Sequence, residues 1–252
     1  SVGVGGCPPE GAPDDRRRYL NIALAQSTPA YARVLSEYGQ ALTQRNALLK
    51  SLHERGGSSD QLEAWDDTLT RLGAQIILWR IEALQQIEHL ASRVHHELTH
   101  GSEILRLAYE PAYDPLPKLN GQLGLKIDTI VDRSGLDLKE IQSGFRATLS
   151  ALRSLEIARG VTTIGPHRDE IRFLANDIDL GNYGSRGQVR TALLSLKLAD
   201  VRMYAHKHGG RGSAGSRATL SRRCRTRSSR RARGRRRCSH RRCAARATWS
   251  RR

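Results

Sequence analysis

Two short patterns in this chain have residue types and a spacing suited to chemistry. The first is His-Glu-Leu-Thr-His at residues 96–100. On a helix it would place two imidazoles on one face as zinc ligands, with Glu97 as a general base. No third ligand is evident at a workable position, and the histidines come just before Gly101, a residue type that commonly ends a helix. Imidazoles there interact favourably with the negative end of the helix, so we favour that structural role over a zinc site.

The second pattern is Gly-Ser-Arg-Gly-Gln at residues 184–188, directly before a predicted helix at residues 189–206. Glycines ahead of a helix let backbone N–H groups approach an anion, which the helix dipole also attracts. The hydroxyl of Ser185 and the amide of Gln188 can donate hydrogen bonds, and Arg190 adds positive charge nearby. Taken alone, such a pattern is more often an ordinary helix cap.

Positive charge is concentrated at one end of the chain. The 252 residues include 42 Lys and Arg against 25 Asp and Glu, for a formal net charge of +17. Residues 209–252 contain 17 arginines and no lysine, aspartate or glutamate, which leaves 25 basic against 25 acidic residues in the rest of the chain. A segment of this composition cannot bury enough apolar surface to offset its chain entropy, so we expect it to be disordered.

Three explanations of this arginine-rich segment remain open. It could be a basic arm that grips nucleic-acid phosphates. It could bind a metal, although its candidate ligands lack a close cysteine pair; they are Cys224, Cys238, His240 and Cys243. It could also be the out-of-frame translation of a GC-rich gene, which we favour because the composition changes abruptly near residue 209.

Apolar residues spaced three and four apart predict the helices that position these patterns. Two long helices on either side of the glycines at 56–57 predict an antiparallel hairpin over residues 29–100, with the second helix starting near Asp60. Arg45 and Gln86 fall on the seam of this hairpin, which indicates a contact that is imperfect or shared with another element. A further helix is predicted at residues 138–158. The helix that follows the Gly-Ser-Arg-Gly-Gln pattern is predicted to bury Leu193, Leu196, Leu198 and Val201.

Alternating and β-branched residues predict short strands at residues 104–109, 161–164 and 170–174. Asn176 and Asp177 suit the tight turn of a hairpin that returns through Ile178 and Leu180. Residues 111–136, rich in Pro, Gly and Asp, predict a long loop. The fold class is therefore a mixed, helix-rich α/β fold with a small sheet. No apolar run approaches the ~18 residues that a membrane-spanning helix needs.

Five ordered segments resemble those of the RecF family. Residues 184–199 resemble its ABC-type signature motif, and residues 163–170 are similar to its Gly-Pro-His-Arg-Asp segment. The other matches lie at residues 11–20, 44–50 and 65–80, with Asn21 where aspartate is usual in the family. Chance is a poor explanation of five matches that keep their order along the chain.

The resemblance implies a partial ABC/SMC-type ATPase head, with a long antiparallel helical hairpin and a small incomplete sheet. Such heads dimerise around two ATP molecules with Mg²⁺, and the signature motif of one subunit contacts the phosphates held by the other. Carried over, Ser185, Arg186, Gly187 and Gln188 are the expected nucleotide contacts in trans.

The resemblance also places His167 and Arg168 near the interface between heads, without a chemical role, and it assigns no catalytic residue or metal ligand to this chain. The implied function is ATP-dependent binding to DNA at single-strand gaps, as a homodimer that works with RecR and RecO to help load recombinase during repair. The expected location is the cytoplasm.

The chain departs from the family pattern in two respects. It contains no Gly-x-x-x-x-Gly-Lys-[Ser/Thr] loop, and no apolar run ending in acidic residues follows the signature helix. We therefore expect this chain alone to bind neither ATP nor Mg²⁺ and to hydrolyse no ATP. The alternative is a nucleic-acid-binding protein that acts through a genuine arginine-rich arm.

Four regions follow from these patterns. We expect an irregular, truncated start at residues 1–12, a helical lobe at residues 13–110, a head segment that carries the signature motif at residues 111–208, and the disordered arginine-rich segment at residues 209–252.

Overall fold

The computed structural model describes residues 9–116 and 131–209, with side chains up to Met203. Its helices are α1 (Pro13–Ser27), α2 (Pro29–Arg55), α3 (Glu63–Leu98), α4 (Leu138–Arg159), α5 (Leu180–Tyr183) and α6 (Arg186–Gly209), with short 3-10 turns at Ser59–Leu62 and Pro166–Arg168. Its strands are β1 (Leu105–Glu110), β2 (Glu170–Ala175) and β3 (Ile178–Asp179). None of the helices in the described part of the chain has the length and apolar character to cross a membrane. The arginine-rich segment, with its cysteines, lies outside the described residues.

The two longest helices, α2 and α3, form the predicted antiparallel hairpin. α2 starts with Pro29 in its first turn, where proline's missing N–H breaks no hydrogen bond. It ends at Gly56, whose φ of 70° is readily adopted only by glycine. The side chain of Ser58 then accepts a hydrogen bond from the backbone N–H of Asp60 at 3.2 Å. This cap starts a 3-10 turn, so α3 begins at Glu63, slightly later than the sequence pattern predicts.

The sheet contains three antiparallel strands in the order β1-β2-β3. β1 pairs with β2 along its whole length, and Asn176 and Asp177 make the predicted tight turn to β3. Their φ values of 49° and 64° lie in the left-handed region, which Asn and Asp tolerate better than most residues. The predicted return through Leu180 is wrong, because the side chain of Asp179 accepts from the N–H of Gly181 at 2.8 Å and so caps α5.

Residues 161–164 do not form the predicted strand. The N–H of Thr162 donates to Oδ1 of Asn46 at 2.9 Å, and the N–H of Thr163 donates to Oε1 of Glu156 at 2.6 Å. These side chains come from α2 and α4, and they satisfy backbone groups that a neighbouring strand would otherwise have bonded. The β-branched composition reflects burial between helices and not membership of a sheet.

The core is organised around α3, against which α2, α4, α6 and β1 all pack. α6 buries a face that shares only Leu196 with the predicted one; its buried apolar residues are Val189, Ala192, Leu196, Ala199 and Met203. Leu198 and Val201, which were predicted to be buried, are 39% and 65% exposed. The alanines of the buried face allow a close approach to the neighbouring helix, since the distance between packed helices depends on the side chains at the contact.

One hydrophobic cluster draws residues from both sides of the predicted boundary at residue 110. It extends from Leu20 on α1, through Ile76 and Ile87 on α3, to Phe145 on α4 and Leu196 on α6. The turn that opens α6 is thus attached to a continuous core through the buried face of that helix.

Candidate functional site

The N-terminus of α6 is built by a reciprocal pair of hydrogen bonds. Oγ of Ser185 accepts from the backbone N–H of Gln188 at 3.2 Å, and the backbone N–H of Ser185 donates to Oε1 of Gln188 at 3.0 Å. This is a capping box, which satisfies two of the N–H groups that a helix start leaves unpaired. Gly184 is required just before it, because a Cβ there would lie 2.6 Å from the carbonyl oxygen of Leu180.

The capping box leaves several donors of the turn available. Within the described residues the backbone N–H groups of Arg186 and Gly187 have no acceptor, as expected for the first two positions of a helix. The oxygen of Ser185 accepts a bond, so its hydroxyl hydrogen can still donate. All three residues are exposed. These are the donors that a helix N-terminus offers to a phosphate or carboxylate.

Gly187 has no steric reason inside this molecule to be a glycine. A Cβ at this position would meet only Oγ of Ser185, at 3.8 Å, which is ordinary contact. The missing side chain leaves the outer surface of the turn open.

Gln188 differs from the other three predicted contacts because its side chain is half-buried and held from two sides. Besides the bond to Ser185, its Nε2 donates to Oε1 of Glu103 at 3.0 Å. Glu103 lies in the connection between α3 and β1, and its Oε2 is 3.0 Å from Nε2 of His95, which is fully buried. Sequence patterns did not identify Glu103 or His95 as neighbours of the turn.

His167 and Arg168 occupy the short helical turn Pro166–Arg168 and face different surroundings. Nδ1 of His167 lies 2.8 Å from Oη of Tyr38, and Nε2 lies 3.4 Å from the carbonyl of Thr162. Burial, above all, lowers the pKa of His167 to about 4, so its imidazole is neutral at neutral pH. Arg168 is exposed. Of the two, Arg168 is the more exposed side chain.

A buried arginine holds the loop that carries these two residues. Arg80 on α3 donates to Oδ2 of Asp169 and to the carbonyl of Pro166, both at 2.6 Å. It also contacts Oη of Tyr31 at 3.3 Å and Oδ1 of Asn21 at 3.1 Å. Burial is the largest single influence and lowers the pKa of Arg80, but Asp169, Tyr31 and Tyr109 together more than offset it, so the net pKa is raised. The ion pair thus anchors the Gly-Pro-His-Arg-Asp segment to the central helix.

A second buried arginine joins the hairpin to α4. Arg45 donates to Oδ1 of Asp66 at 2.8 Å and lies 2.7 Å from Oε2 of Glu156, and none of the three side chains is more than 4% exposed. For Arg45 the alternative of a contact shared with another element is confirmed, and that element is α4. Gln86, the other polar residue predicted on the seam, is exposed.

The His-Glu-Leu-Thr-His pattern does not have the geometry of a zinc site. α3 ends at Leu98, and His100 lies beyond it with a φ of 50°, so the two histidines do not share a helix face. No cluster of three or more His, Cys, Asp or Glu side chains able to hold a metal occurs within residues 9–116 and 131–209. The zinc hypothesis has no support in the described residues.

Comparison with known proteins identifies relatives of one kind. No protein-family model matches the chain. The DNA replication and repair protein RecF of Halothermothrix orenii is 39% identical over 199 residues, which cover 78% of this chain and 48% of the relative. That of Acetivibrio thermocellus is 36% identical over 189 residues, covering 75% of this chain and 47% of the relative. The chain spans about half the length of the curated relatives it matches.

Two solved structures of the recombination mediator protein RecF in the RecFOR pathway, one described as RecF-ATP and the other as RecF-ATPrS, share this fold. Each superposes with a TM-score of 0.67 at 28% sequence identity, over 79–80% of this chain and 49% of the other. The fold is that of part of an ABC-type ATPase head, helix-rich with a small sheet. Within that class the chain belongs to the RecF family.

Proposed function

We propose that this chain supplies the signature-motif part of a RecF-type protein, which binds DNA at single-strand gaps in an ATP-dependent manner and helps to load recombinase. The relatives are named as DNA replication and repair proteins, and the matching structures are described as ATP and ATPrS forms of a recombination mediator. By the same resemblance the active form is an ATP-dependent homodimer in the cytoplasm, with RecR and RecO as partners.

The observation that carries this proposal is the open turn at the start of α6. Two backbone N–H groups, at Arg186 and Gly187, and the hydroxyl of Ser185 are available at an exposed helix N-terminus. These donors fit the oxygens of a terminal phosphate. Because the turn faces outward, it suits a nucleotide presented by another subunit better than one held within its own body.

We propose that this chain contacts ATP only at its phosphates, through the turn at the start of α6. The sequence contains no phosphate-binding loop of the Gly-x-x-x-x-Gly-Lys-[Ser/Thr] type. The part of the chain that the structure describes has no cluster of acidic or histidine ligands fit for Mg²⁺, so we assign no metal ligand here. The expected result is that the purified chain alone shows no Mg²⁺-dependent ATP turnover.

A chimera tests the proposal. Residues 9–209 of this chain replace the matching half of the full-length RecF of Halothermothrix orenii, and binding to gapped DNA is measured with and without ATP. We expect ATP-dependent binding by the chimera. Gly187→Glu places a carboxylate where a phosphate should lie, so it should weaken that binding by about tenfold or more.

Gly39→Glu is the matched control, because Gly39 is an exposed helical glycine whose added Cβ would meet nothing within 4 Å. This control should leave binding within about twofold of the chimera. Equal effects of the two substitutions, or binding that ignores ATP, would contradict the proposed role of the turn.

A second candidate function rests on the charge distribution of the chain. All of the net charge of +17 lies in residues 209–252. A segment with 17 arginines is able to bind nucleic-acid phosphates without any nucleotide. The two functions differ in their dependence on ATP and on salt.

A further inference from the structure

We infer that Glu103 is a positioning residue that orients Gln188 in the phosphate-binding turn, and that His95 holds Glu103 in place. The inference rests on the proposed function of the turn. It concerns two residues outside the signature motif, which lie at the end of α3 and in the connection that follows it.

The orientation of the Gln188 amide follows from the chemistry of its two partners. An ionised carboxylate can only accept hydrogen bonds, so Glu103 Oε1, at 3.0 Å, requires the nitrogen end of the amide. The oxygen end is then turned toward the N–H of Ser185, also at 3.0 Å. Were the amide reversed, two donors would face each other at Ser185 and two acceptors at Glu103. Glu103 therefore selects the orientation in which the capping box closes.

Closing the capping box determines which donors of the turn remain free. Ser185 N–H and Gln188 N–H are used within the box. The N–H groups of Arg186 and Gly187 and the hydroxyl hydrogen of Ser185 are left to face a phosphate. A Gln188 side chain without Glu103 would sample other rotamers and leave Ser185 N–H unpaired.

Glu103 is itself fixed by a buried imidazole. Its Oε2 lies 3.0 Å from Nε2 of His95, which must carry the hydrogen because it faces a carboxylate. Nδ1 of the same ring lies 3.3 Å from Oγ of Ser195, on α6. The imidazole is fully buried, so it is held by the packing of α3 against α6. A continuous series of contacts thus leads from the core to the exposed turn.

The test compares Glu103→Ala with Glu103→Gln in the whole chain. Both substitutions remove the carboxylate charge, but only glutamine keeps an oxygen that accepts from Gln188. Inorganic tripolyphosphate is the probe, and binding is followed at the backbone amide resonance of Gly187 in glycine-labelled protein. A residue-specific signal is needed because the arginine-rich segment also attracts polyphosphate.

We expect Glu103→Ala to bind tripolyphosphate at Gly187 about three- to tenfold more weakly than Glu103→Gln, as the loss of one hydrogen-bonded constraint predicts. Glu103→Gln should match or exceed the wild type, since it removes a negative charge near the anion and a neutral His95 with its hydrogen on Nδ1 accepts from the new amide. In the ligand-free protein, the side-chain amide resonances of Gln188 should stay dispersed in the glutamine variant and move toward unstructured values in the alanine variant.

The outcomes distinguish a failure of phosphate binding by the turn from a failure of the positioning role of Glu103. If tripolyphosphate does not shift Gly187 in the wild type, the proposed function of the turn fails and the role of Glu103 in phosphate binding fails with it. If the wild type binds but the alanine and glutamine variants bind equally, the turn is retained and the positioning role of Glu103 is overturned.

Discussion

Among the single side chains, His167 links the stability of the fold to pH. Its imidazole lies between the hydroxyl of Tyr38 and the carbonyl of Thr162. Burial lowers the pKa of His167 to about 4, and the nearby positive charges of Arg168 and Arg17 act in the same direction. An unfolded histidine titrates near about 6.5. Between those two values the unfolded chain takes up a proton that the folded chain does not, so stability is complete above the higher value and falls as the pH decreases.

We predict that His167→Gln removes this dependence. Relative to the variant, the free energy of unfolding of the wild type should fall by roughly 2–3 kcal/mol between pH 7 and pH 4, and no further below that. Urea titrations at half-unit pH steps measure the difference, and the other histidines cancel because both proteins contain them. Parallel pH profiles for the two proteins would show that the imidazole is solvated in the native state.

The contacts of Arg80 are of a kind that sequence patterns cannot predict. The signature turn and the Gly-Pro-His-Arg-Asp segment are contiguous, so their residues were found from the sequence. The acceptor of Arg80, Asp169, stands 89 positions later in the chain. The spacing of apolar residues along α3 holds no information on which distant carboxylate reaches Arg80. For the same reason sequence patterns did not predict the contact between Gln188 and Glu103, which are 85 positions apart.

Among the secondary-structure elements, the position of α6 in the chain was predicted correctly, but the face that it buries was not. Apolar residues occupy most of its circumference, so the spacing of three and four is satisfied by more than one face. The larger leucines and the valine suggested one face, whereas the packed face keeps only Leu196 of that set fully buried and combines it with Ala192 and Ala199. Steric fit against α3 decides between them, and this depends on a helix that is distant in sequence. The hairpin of α2 and α3 had a single apolar stripe on each helix, so its prediction was confirmed.

The rotation of α6 can be checked by paired substitutions. Val201→Lys should change the free energy of unfolding of this chain by less than about 0.5 kcal/mol, because Val201 is 65% exposed. Leu196→Ala should cost about 2–4 kcal/mol, because Leu196 is fully buried and its truncation leaves a cavity. Urea unfolding of both variants gives the comparison. A loss at Val201 comparable to that at Leu196 would restore the face predicted from the sequence, on which both residues are buried.

For DNA binding by the whole molecule, the location of the positive charge matters more than its total amount. Outside residues 209–252 the chain has equal numbers of basic and acidic residues, so its body has no net charge with which to attract DNA. Any ATP-dependent binding by the body must then come from the local arrangement of its surface groups and not from net charge. The 17 arginines of the remaining segment are able to bind phosphates by counterion release.

We therefore predict that the whole chain binds duplex DNA without nucleotide, in a manner governed by salt. If six to ten phosphates are neutralised, the affinity should fall roughly 10³- to 10⁵-fold between 50 and 200 mM salt. Changing the ten arginines between Arg222 and Arg237 to glutamine should remove most of this binding, whereas Arg55→Gln with Arg159→Gln, two exposed arginines of the body, should alter it little. Fluorescence anisotropy over a salt series measures both the affinity and its slope. Binding that survives the ten substitutions with an unchanged slope would locate the DNA contacts in the body, and the exposed turn at the start of α6 would then be the first surface to examine.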